Sequence, residues 1–292
     1  MFDIENIVTA TTVDEAIEAL QADPDAIICA NGTDVLVQVR EGRFPSAHLV
    51  CINSIEELKG IELMENGNIE VGPLTTFNGL YTSEIIMDRL PVLGRAADTA
   101  GGPQLREVGT YGGNLCNGIT SADTASTSVA AGVILRVKGP KGIREINIAD
   151  WYAGPGRTVR EHDEVLIKII IPRESYEGFS GHNIKYARRN ALDIATLGVS
   201  CLVKLADDKK TIEDIRLAFG VAGPNPLRSP AAEDACRGLS VEEAAKIIGE
   251  KALEDAKPRN SWRASKTLRT QLVRELSRRA LVEAATKGGY EA

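Results

Sequence analysis

Long apolar runs, aromatic residues, paired cysteines and histidine clusters are what this sequence lacks. No stretch of the 292 residues approaches the length of a membrane-spanning helix. The opening MFDIENIVTATTVDEAI has no basic start and no apolar core, which excludes a secretory signal and makes the cytoplasm the expected compartment. Aromatic residues are only 4% of the chain and the net charge is −7. A stacking surface for bases and a basic face for phosphates are both missing, so DNA, RNA and anionic membranes are excluded as main partners. The five cysteines, Cys29, Cys51, Cys116, Cys201 and Cys236, form no C-x-x-C pair. That excludes a zinc site or an iron–sulfur cluster inside the chain, and an odd number in a cytoplasmic protein reads as reduced thiols. His48, His162 and His182 have neither metal spacing nor a serine partner for a triad, so they read as structural or surface residues.

What remains is a composition of 43% hydrophobic and 26% charged residues, that of a soluble globular protein with room for two or three domains. One segment stands out, GTYGGNLCNGITSADTAS at 109–126. It combines glycines, small hydroxyls, amides and one acid, and reads as too polar and too glycine-rich for a core. A shorter segment of the same kind, ICANGTDV at 28–35, follows an apolar run. Backbone N–H groups reach a phosphate closely where no Cβ blocks the approach. Gly32 and the pair Gly112-Gly113 offer such places, with hydroxyls from Thr33 and Thr110 and an amide from Asn114. The two segments together read as the jaws of a dinucleotide site, although each alone reads equally as a tight strand-to-helix turn. No G-x-G-x-x-G follows the first strand and no lysine follows a glycine loop, so neither a Rossmann nor a P-loop site is present.

Periodicity places the elements. Thr12 and Glu15 have capping-box spacing before a helix with Val13, Ile17 and Leu20 on one face. A strand over 26–30, a turn over 31–34, a helix over 35–40 and a strand over 49–52 follow. A short helix falls at 53–60, and Glu65-Asn66-Gly67 joins strands 61–64 and 68–71 in a hairpin. Helices are expected over 75–81, 83–89, 92–100 and 125–132, and paired strands over 133–137 and 143–146. The apolar run 165–171 reads as a buried strand ending at Pro172. Composition shifts over 172–181, which sets domains of 1–176, divided near 57, and 177–292. The second domain reads as strands over 182–187, 196–204 and 212–219, closed by Pro224 and Pro226, then helices over 241–255 and 265–285, a compact α+β unit. Two further features bear on chemistry. Asp123 suits either a ribose hydroxyl or the N-cap of the following helix. The stretch KYARRNALDI at 185–194, with Lys185, Arg188, Arg189 and Asp193, reads by itself as a solvated charged loop, but its position beyond the boundary lets it fold over a site on the first domain. Cys29 and Cys116 lie inside the two glycine segments and read as small packing residues rather than redox groups.

These residues resemble the FAD-binding subunits of the molybdenum hydroxylases, the xanthine dehydrogenase family, over nearly the whole chain. The two segments look like that family's AGGTD and T-x-GGN elements. Residues 185–194 look like its K-x-x-x-R…DI segment, and NSWRASKTLR at 260–269 like its C-terminal signature. The string TYGGNLCNGITSAD is particularly similar to that of bacterial xanthine dehydrogenase FAD-binding subunits. The resemblance implies an α+β fold: a two-lobed FAD domain of the vanillyl-alcohol-oxidase (PCMH) type and a C-terminal domain with a small antiparallel sheet and helices. It implies noncovalent FAD contacts at Ile27, Ile28, Cys29, Ala30, Asn31, Gly32, Thr33 and Asp34, and at Gly109, Thr110, Tyr111, Gly112, Gly113 and Asn114. It places Asp123 at a ribose or adenosine contact, Val165 and Leu166 in an apolar wall, Ile184 and Lys185 beside the flavin, and Arg189 and Asp193 on a mobile loop near its ring. Asn31 stands where many relatives carry glycine. Asparagine tolerates positive φ, so the turn survives and the amide adds a phosphate donor. The function implied is transfer of electrons from [2Fe–2S] clusters on a small partner subunit, fed by a molybdopterin-binding large subunit, through FAD to NAD. No catalytic acid or base and no metal is expected in this chain. The competing readings are a stand-alone flavoenzyme of the same fold, the FAD subunit of a hydroxylase acting on another heterocycle, an aldehyde or CO, and a nucleotide-binding scaffold.

Overall fold

The computed structural model describes residues 2–291. The first lobe runs β1 (Ile4–Thr9), α1 (Val13–Ala22), β2 (Ala26–Cys29), α2 (Val35–Arg40) and β3 (Ala47–Cys51), with the strands parallel in the order β1-β3-β2. Helix α1 starts where expected: the Thr12 side chain accepts from the N–H of Glu15. The reciprocal half of the capping box is displaced by one residue, because the Glu15 carboxylate accepts from the N–H and hydroxyl of Thr11. Strand β1 was not expected. Its residues 5–9 are all exposed, so its sequence carries no in–out alternation, and it becomes a strand by edge pairing with β3.

The second lobe is a five-stranded antiparallel sheet, β4 (Ile61–Leu63), β5 (Ile69–Val71), β6 (Ile134–Gly139), β7 (Gly142–Asn147) and, preceded by the small β8 (Tyr152–Gly154) and β9 (Arg157–Thr158) pair, β10 (Val165–Ile171). Strand β10 lies at the centre, between β5 and β6, which is why all its residues but Lys168 are apolar. Between β5 and β6 the chain makes six short helices: α3 (Phe77–Thr82), α4 (Glu84–Arg89), α5 (Pro91–Asp98), α6 (Pro103–Val108), α7 (Tyr111–Cys116) and α8 (Ala125–Ala131). Helix α7 corrects the reading of 109–126 as coreless loop. Thr110 caps it, and Tyr111 and Leu115 are fully buried in the main core. The polar side chains of Thr124, Ser126, Thr127 and Ser128 are buried as well, each satisfied by a hydrogen bond. Small residues here permit close packing rather than mark a surface.

Beyond residue 179 an antiparallel sheet of β11 (Ser180–Tyr186), β12 (Leu197–Leu205), β13 (Ile212–Gly220) and β14 (Leu227–Arg228) is followed by α9 (Pro230–Cys236), α10 (Val241–Asp255) and α11 (Lys266–Lys287). The chain is thus a mixed α+β protein, as expected. Pro224 and Pro226 do not end the sheet, since β14 follows them, and α9 was not expected. Along β12 the two faces bury different partners. Leu197, Val199, Cys201 and Val203 join the core beneath α9–α11, while Leu202 joins the core of the first domain. The C-terminal sheet therefore stands directly against α5 and α8.

Candidate functional site

The two glycine segments meet. The side-chain amide of Asn31 donates to the carbonyl of Val108, 2.8 Å away, just ahead of Gly109. Asn31 itself is not at positive φ, and one of the two N–H donors of its amide is committed to this contact. Gly32 takes the left-handed conformation (φ +73°), and the Asn31 amide ties one jaw to the other. The backbone N–H groups of Asn31, Gly32, Thr33 and Asp34 donate to no acceptor among the described residues. Four adjacent free N–H groups around a left-handed glycine form an anion-binding concavity. Cys29 is buried, and a Cβ on Gly32 would lie 3.7 Å from its Sγ. Ile27 and Ile28 lie half-buried on β2, and Ala30 leads out of it.

The second segment works differently from expectation. The N–H of Tyr111 donates to Thr75, that of Gly112 to Pro73 and that of Asn114 to Thr110, all at 2.8–3.0 Å, and that of Gly113 to the Thr110 hydroxyl at 3.1 Å. These donors are already used. Gly112 is required by packing, since a Cβ there would lie 2.7 Å from the Pro73 carbonyl. A Cβ on Gly113 would meet only the Thr110 hydroxyl, at 2.7 Å, and otherwise enter open space. Gly109 is closed off by the Phe77 ring, and the Tyr111 hydroxyl bonds Ser128 inside the core. Of this segment, Gly113 is the position that leaves a bare face. The side-chain amide oxygen of Asn114, Oδ1, accepts from both the N–H and hydroxyl of Thr124, and so fixes the turn that carries Asp123.

Asp123 pairs with Lys185 of β11 at 2.9 Å, and Lys185 also donates to the Thr99 carbonyl at 2.9 Å. Both side chains are largely buried. Burial raises the Asp123 carboxyl above its ordinary value, and the Lys185 charge opposes that rise. Asp123 is not the N-cap of α8: Thr124 occupies that position. The pair faces a narrow cleft between the domains, bounded also by Thr120, Ser126, Gly198 and Val221. Contacts thus run without a break from Asn31 through 108–114 and Thr124 to Asp123 and Lys185. Free N–H donors at one end and a buried acid–base pair at the other fit an elongated anion bearing hydroxyls.

Other expected residues lie elsewhere. Ile184 points opposite to Lys185, into the C-terminal core. Val165 completes the core of the first lobe and Leu166 the main core, so neither stands out as an exposed wall. The Asp193 carboxylate holds the N–H groups of Arg188, Arg189 and Ile194 in a turn. Leu192 of that turn, at φ +54°, donates its N–H to Gly101 and so rests on the first domain. Burial pushes the Cys29 and Cys116 thiols up to about 11, which keeps them protonated at neutral pH. No helix among the described residues is long and apolar enough to cross a membrane, and no group of three metal-ligating side chains converges among them. Gly198 and Val221 escaped the sequence reading, since lone residues in strands and turns leave no local signal, and Thr120 lay in the singled-out segment without being assigned a contact.

Comparison with known proteins gives the geometry a context. Residues 2–174 match the model of the FAD binding domain in molybdopterin dehydrogenase, and residues 182–284 that of the CO dehydrogenase flavoprotein C-terminal domain. The chain is similar to the xanthine dehydrogenase FAD-binding subunit of Escherichia coli O157:H7, 38% identical over 99% of both chains. It is also similar to the carbon monoxide dehydrogenase medium chain of Hydrogenophaga pseudoflava, 29% identical over 92% of this chain and 93% of that one. The solved carbon monoxide dehydrogenase of Hydrogenophaga pseudoflava superposes with a TM-score of 0.92 at 28% identity, covering 98% of this chain and 99% of the other.

Proposed function

The chain belongs to the family of FAD-binding flavoprotein subunits of molybdopterin-dependent dehydrogenases, the molybdenum hydroxylases, and from that premise we propose that it serves a xanthine or purine dehydrogenase with NAD as acceptor. The observation that carries the substrate class is the 38% identity with a xanthine dehydrogenase FAD-binding subunit over 99% of both chains, against 29% with a carbon monoxide dehydrogenase medium chain. In this reading a molybdopterin-binding large subunit and a [2Fe–2S] small subunit are the partners. When bound, FAD supplies the exchange between single electrons from an iron–sulfur partner and the two-electron chemistry of a nicotinamide.

The protein's own contribution is position and field. The free N–H groups of 31–34 bind the pyrophosphate, with the bare face of Gly113 allowing close approach. Asp123 accepts hydrogen bonds from cofactor hydroxyls. Lys185, screened from water by Asp123 and Thr99, places a positive charge beside a ring that becomes more negative on reduction. The buried thiols stay out of the chemistry, and no side chain here is required as an acid or base.

The test is purification of the chain alone and with its partners. The isolated FAD-loaded chain is expected to oxidise NADH with an artificial dye and to leave xanthine untouched, and reconstitution with both partners is expected to restore xanthine-to-NAD transfer. Acid precipitation is expected to free the flavin. Turnover of xanthine by the chain verified free of partners and molybdenum would overturn the division of roles. Activity of the complex on CO or nicotinate in place of purines would overturn the substrate assignment.

A further inference from the structure

Cys29 and Cys51 are directly paired at the C-terminal ends of the parallel strands β2 and β3, in an unbroken register that also pairs Ile27 with Leu49. Paired residues on neighbouring strands point to the same face. Both cysteines accordingly lie in one apolar cluster with Ile27, Leu49 and, from α2, Val35 and Leu36. Cys29 is 5% exposed and Cys51 is half-buried, so the second thiol has an edge open to solvent. Neighbouring strands lie about 4.8 Å apart, within the Cα spacing that a disulfide spans. Burial and the Cys51 thiol together push the Cys29 thiol up, which marks the two sulfurs as neighbours. Among the described residues no other cysteine combines such a partner with access. Cys116 packs against a different core, and Cys201 and Cys236 are fully buried beneath the C-terminal helices.

The pair adjoins the turn whose free N–H groups form the anion-binding concavity. The Cys29 carbonyl accepts the Ile52 N–H at 3.0 Å, and the chain then enters 31–34. A Cβ on Gly32 would lie 3.7 Å from Cys29 Sγ, so the sulfur stands close to the turn. On its other side the turn is tethered to Val108 through the Asn31 amide. A disulfide holds its Cβ atoms about 3.5–4.5 Å apart, closer than the strand spacing. Closing it draws the end of β2 toward β3 and swings the Cys29 sulfur toward Cys51. The tether to Val108 keeps the turn from following as a unit, so its four N–H groups lose their common aim.

We propose that Cys29 and Cys51 form a reversible oxidation site: a hydroperoxide joins them in a disulfide, and the joined form holds FAD less tightly. The half-buried Cys51 thiol attacks the peroxide and the O–O bond breaks. One oxygen leaves as water or an alcohol, and the other stays on Cys51 as a sulfenic acid. The Cys29 sulfur then displaces that oxygen as water and forms the S–S bond. The two thiols give up two electrons and the peroxide takes them; a dithiol reverses the bond by exchange. The effect on FAD rests on the assignment of the 31–34 turn to the pyrophosphate, whereas the disulfide does not.

The full chain is reduced, treated with hydrogen peroxide and mapped as unreduced tryptic peptides, and FAD is then titrated. A peptide containing Cys29 should appear joined to one containing Cys51, with two of the five thiols lost. The FAD dissociation constant should rise about tenfold, as for the loss of one charge-assisted hydrogen bond to phosphate. Dithiothreitol should reverse both changes. Cys51→Ala should bind FAD as the native chain does and keep that affinity after peroxide, while Cys116→Ala should respond as the native chain. The peptide map uses the native chain, so the test does not depend on either variant folding. A treated chain with no Cys29–Cys51 link, or with its cysteines joined in another pairing, overturns the inference. A linked chain of unchanged affinity overturns the coupling to FAD. A reduced native chain that binds no FAD overturns the assignment of the turn, and the peptide map still decides the disulfide.

Discussion

At the scale of single residues, glycines that look alike in the sequence do different work. Gly112 and Gly113 are adjacent, yet one faces the Pro73 backbone and the other open space beside the Thr110 cap. Gly112→Ala forces a methyl against backbone and is expected to cost about 2 kcal/mol by overpacking, lowering the urea midpoint whether or not FAD is present. Gly113→Ala disturbs the cap at a smaller cost of about 1 kcal/mol but projects into the site, so flavin content should fall more than stability. Equal loss of flavin and stability in both would show the pair to be a structural turn only. The sequence reading expected both glycines to open N–H donors to a phosphate, whereas the donors of 111–114 are used inside the fold. Gly-Gly after a Thr reveals small side chains, but which face each turns to solvent depends on Pro73, some forty positions back in the chain. Asp123 and Lys185 were both legible as charged residues, but not as partners. With the two side chains only 16% and 11% exposed, Lys185→Met strands a buried acid and should cost roughly 2–4 kcal/mol, because the carboxyl must protonate or stay unpaired. Pairing it with Asp123→Asn should restore most of that stability in urea titrations while flavin binding stays weak.

At the scale of elements, helices with their own punctuation were legible and those recruited by neighbours were not. Helix α10 begins with a complete Ser240–Glu243 capping box and was bounded correctly from sequence. Strand β10 announced itself as an apolar run because it is the central strand. Strand β1 and helix α7 carry weak local signals: the first is an exposed edge, and the second begins Tyr-Gly-Gly, poor helix formers held by Thr110 and by carbonyls of Pro73 and Thr75. The C-terminal signature resolves into a structural device. Arg269 of α11 is buried and donates to the carbonyls of Thr196 and Arg259 and to the Ser261 hydroxyl, pinning the 256–265 connection to the start of β12. Further along α11, Arg278 and Arg279 both bond Glu275 and hold its carboxyl down at about 2. An acid depressed in the fold stabilises it fully above its unfolded value, about 4.3, and loses that contribution as pH falls through the folded value. The difference in urea midpoint between the native chain and Glu275→Gln should therefore be largest near neutrality and shrink steadily below about pH 4. A third of the Glu275 side chain is exposed, so solvent screening keeps the effect small, and a difference that grows on acidification would contradict the assignment.

At the scale of the molecule, the cleft exists because two domains share a polar seam. The Ser200 hydroxyl on the first-domain face of β12 bonds the hydroxyls of Ser126 and Thr127, at 2.9 and 2.8 Å, and accepts from the Asn183 amide at 2.8 Å. Ser126 and Asn183 also line the cleft that holds Asp123 and Lys185. Sequence reading had no access to this seam, since serine and threonine in a glycine-rich stretch read as solvent-facing. Their burial follows only from the C-terminal sheet lying against α8. Each hydroxyl is satisfied across the junction, so the seam fixes the spacing of the domains more sharply than apolar contact would, because a shift of Ser200 leaves the buried Ser126 and Thr127 hydroxyls unmet. Ser200→Ala removes the hub. It should lower stability by about 1–3 kcal/mol through those unsatisfied groups. Because the domains then sit less firmly about the cofactor, FAD should also leave faster, which the rise of free-flavin fluorescence after dilution would record. Thr286→Ala serves as the control: it deletes a hydroxyl that bonds only within α11, away from the junction. A Ser200→Ala chain that loses stability yet releases FAD at the native rate would confine the seam to folding and separate it from the cofactor site.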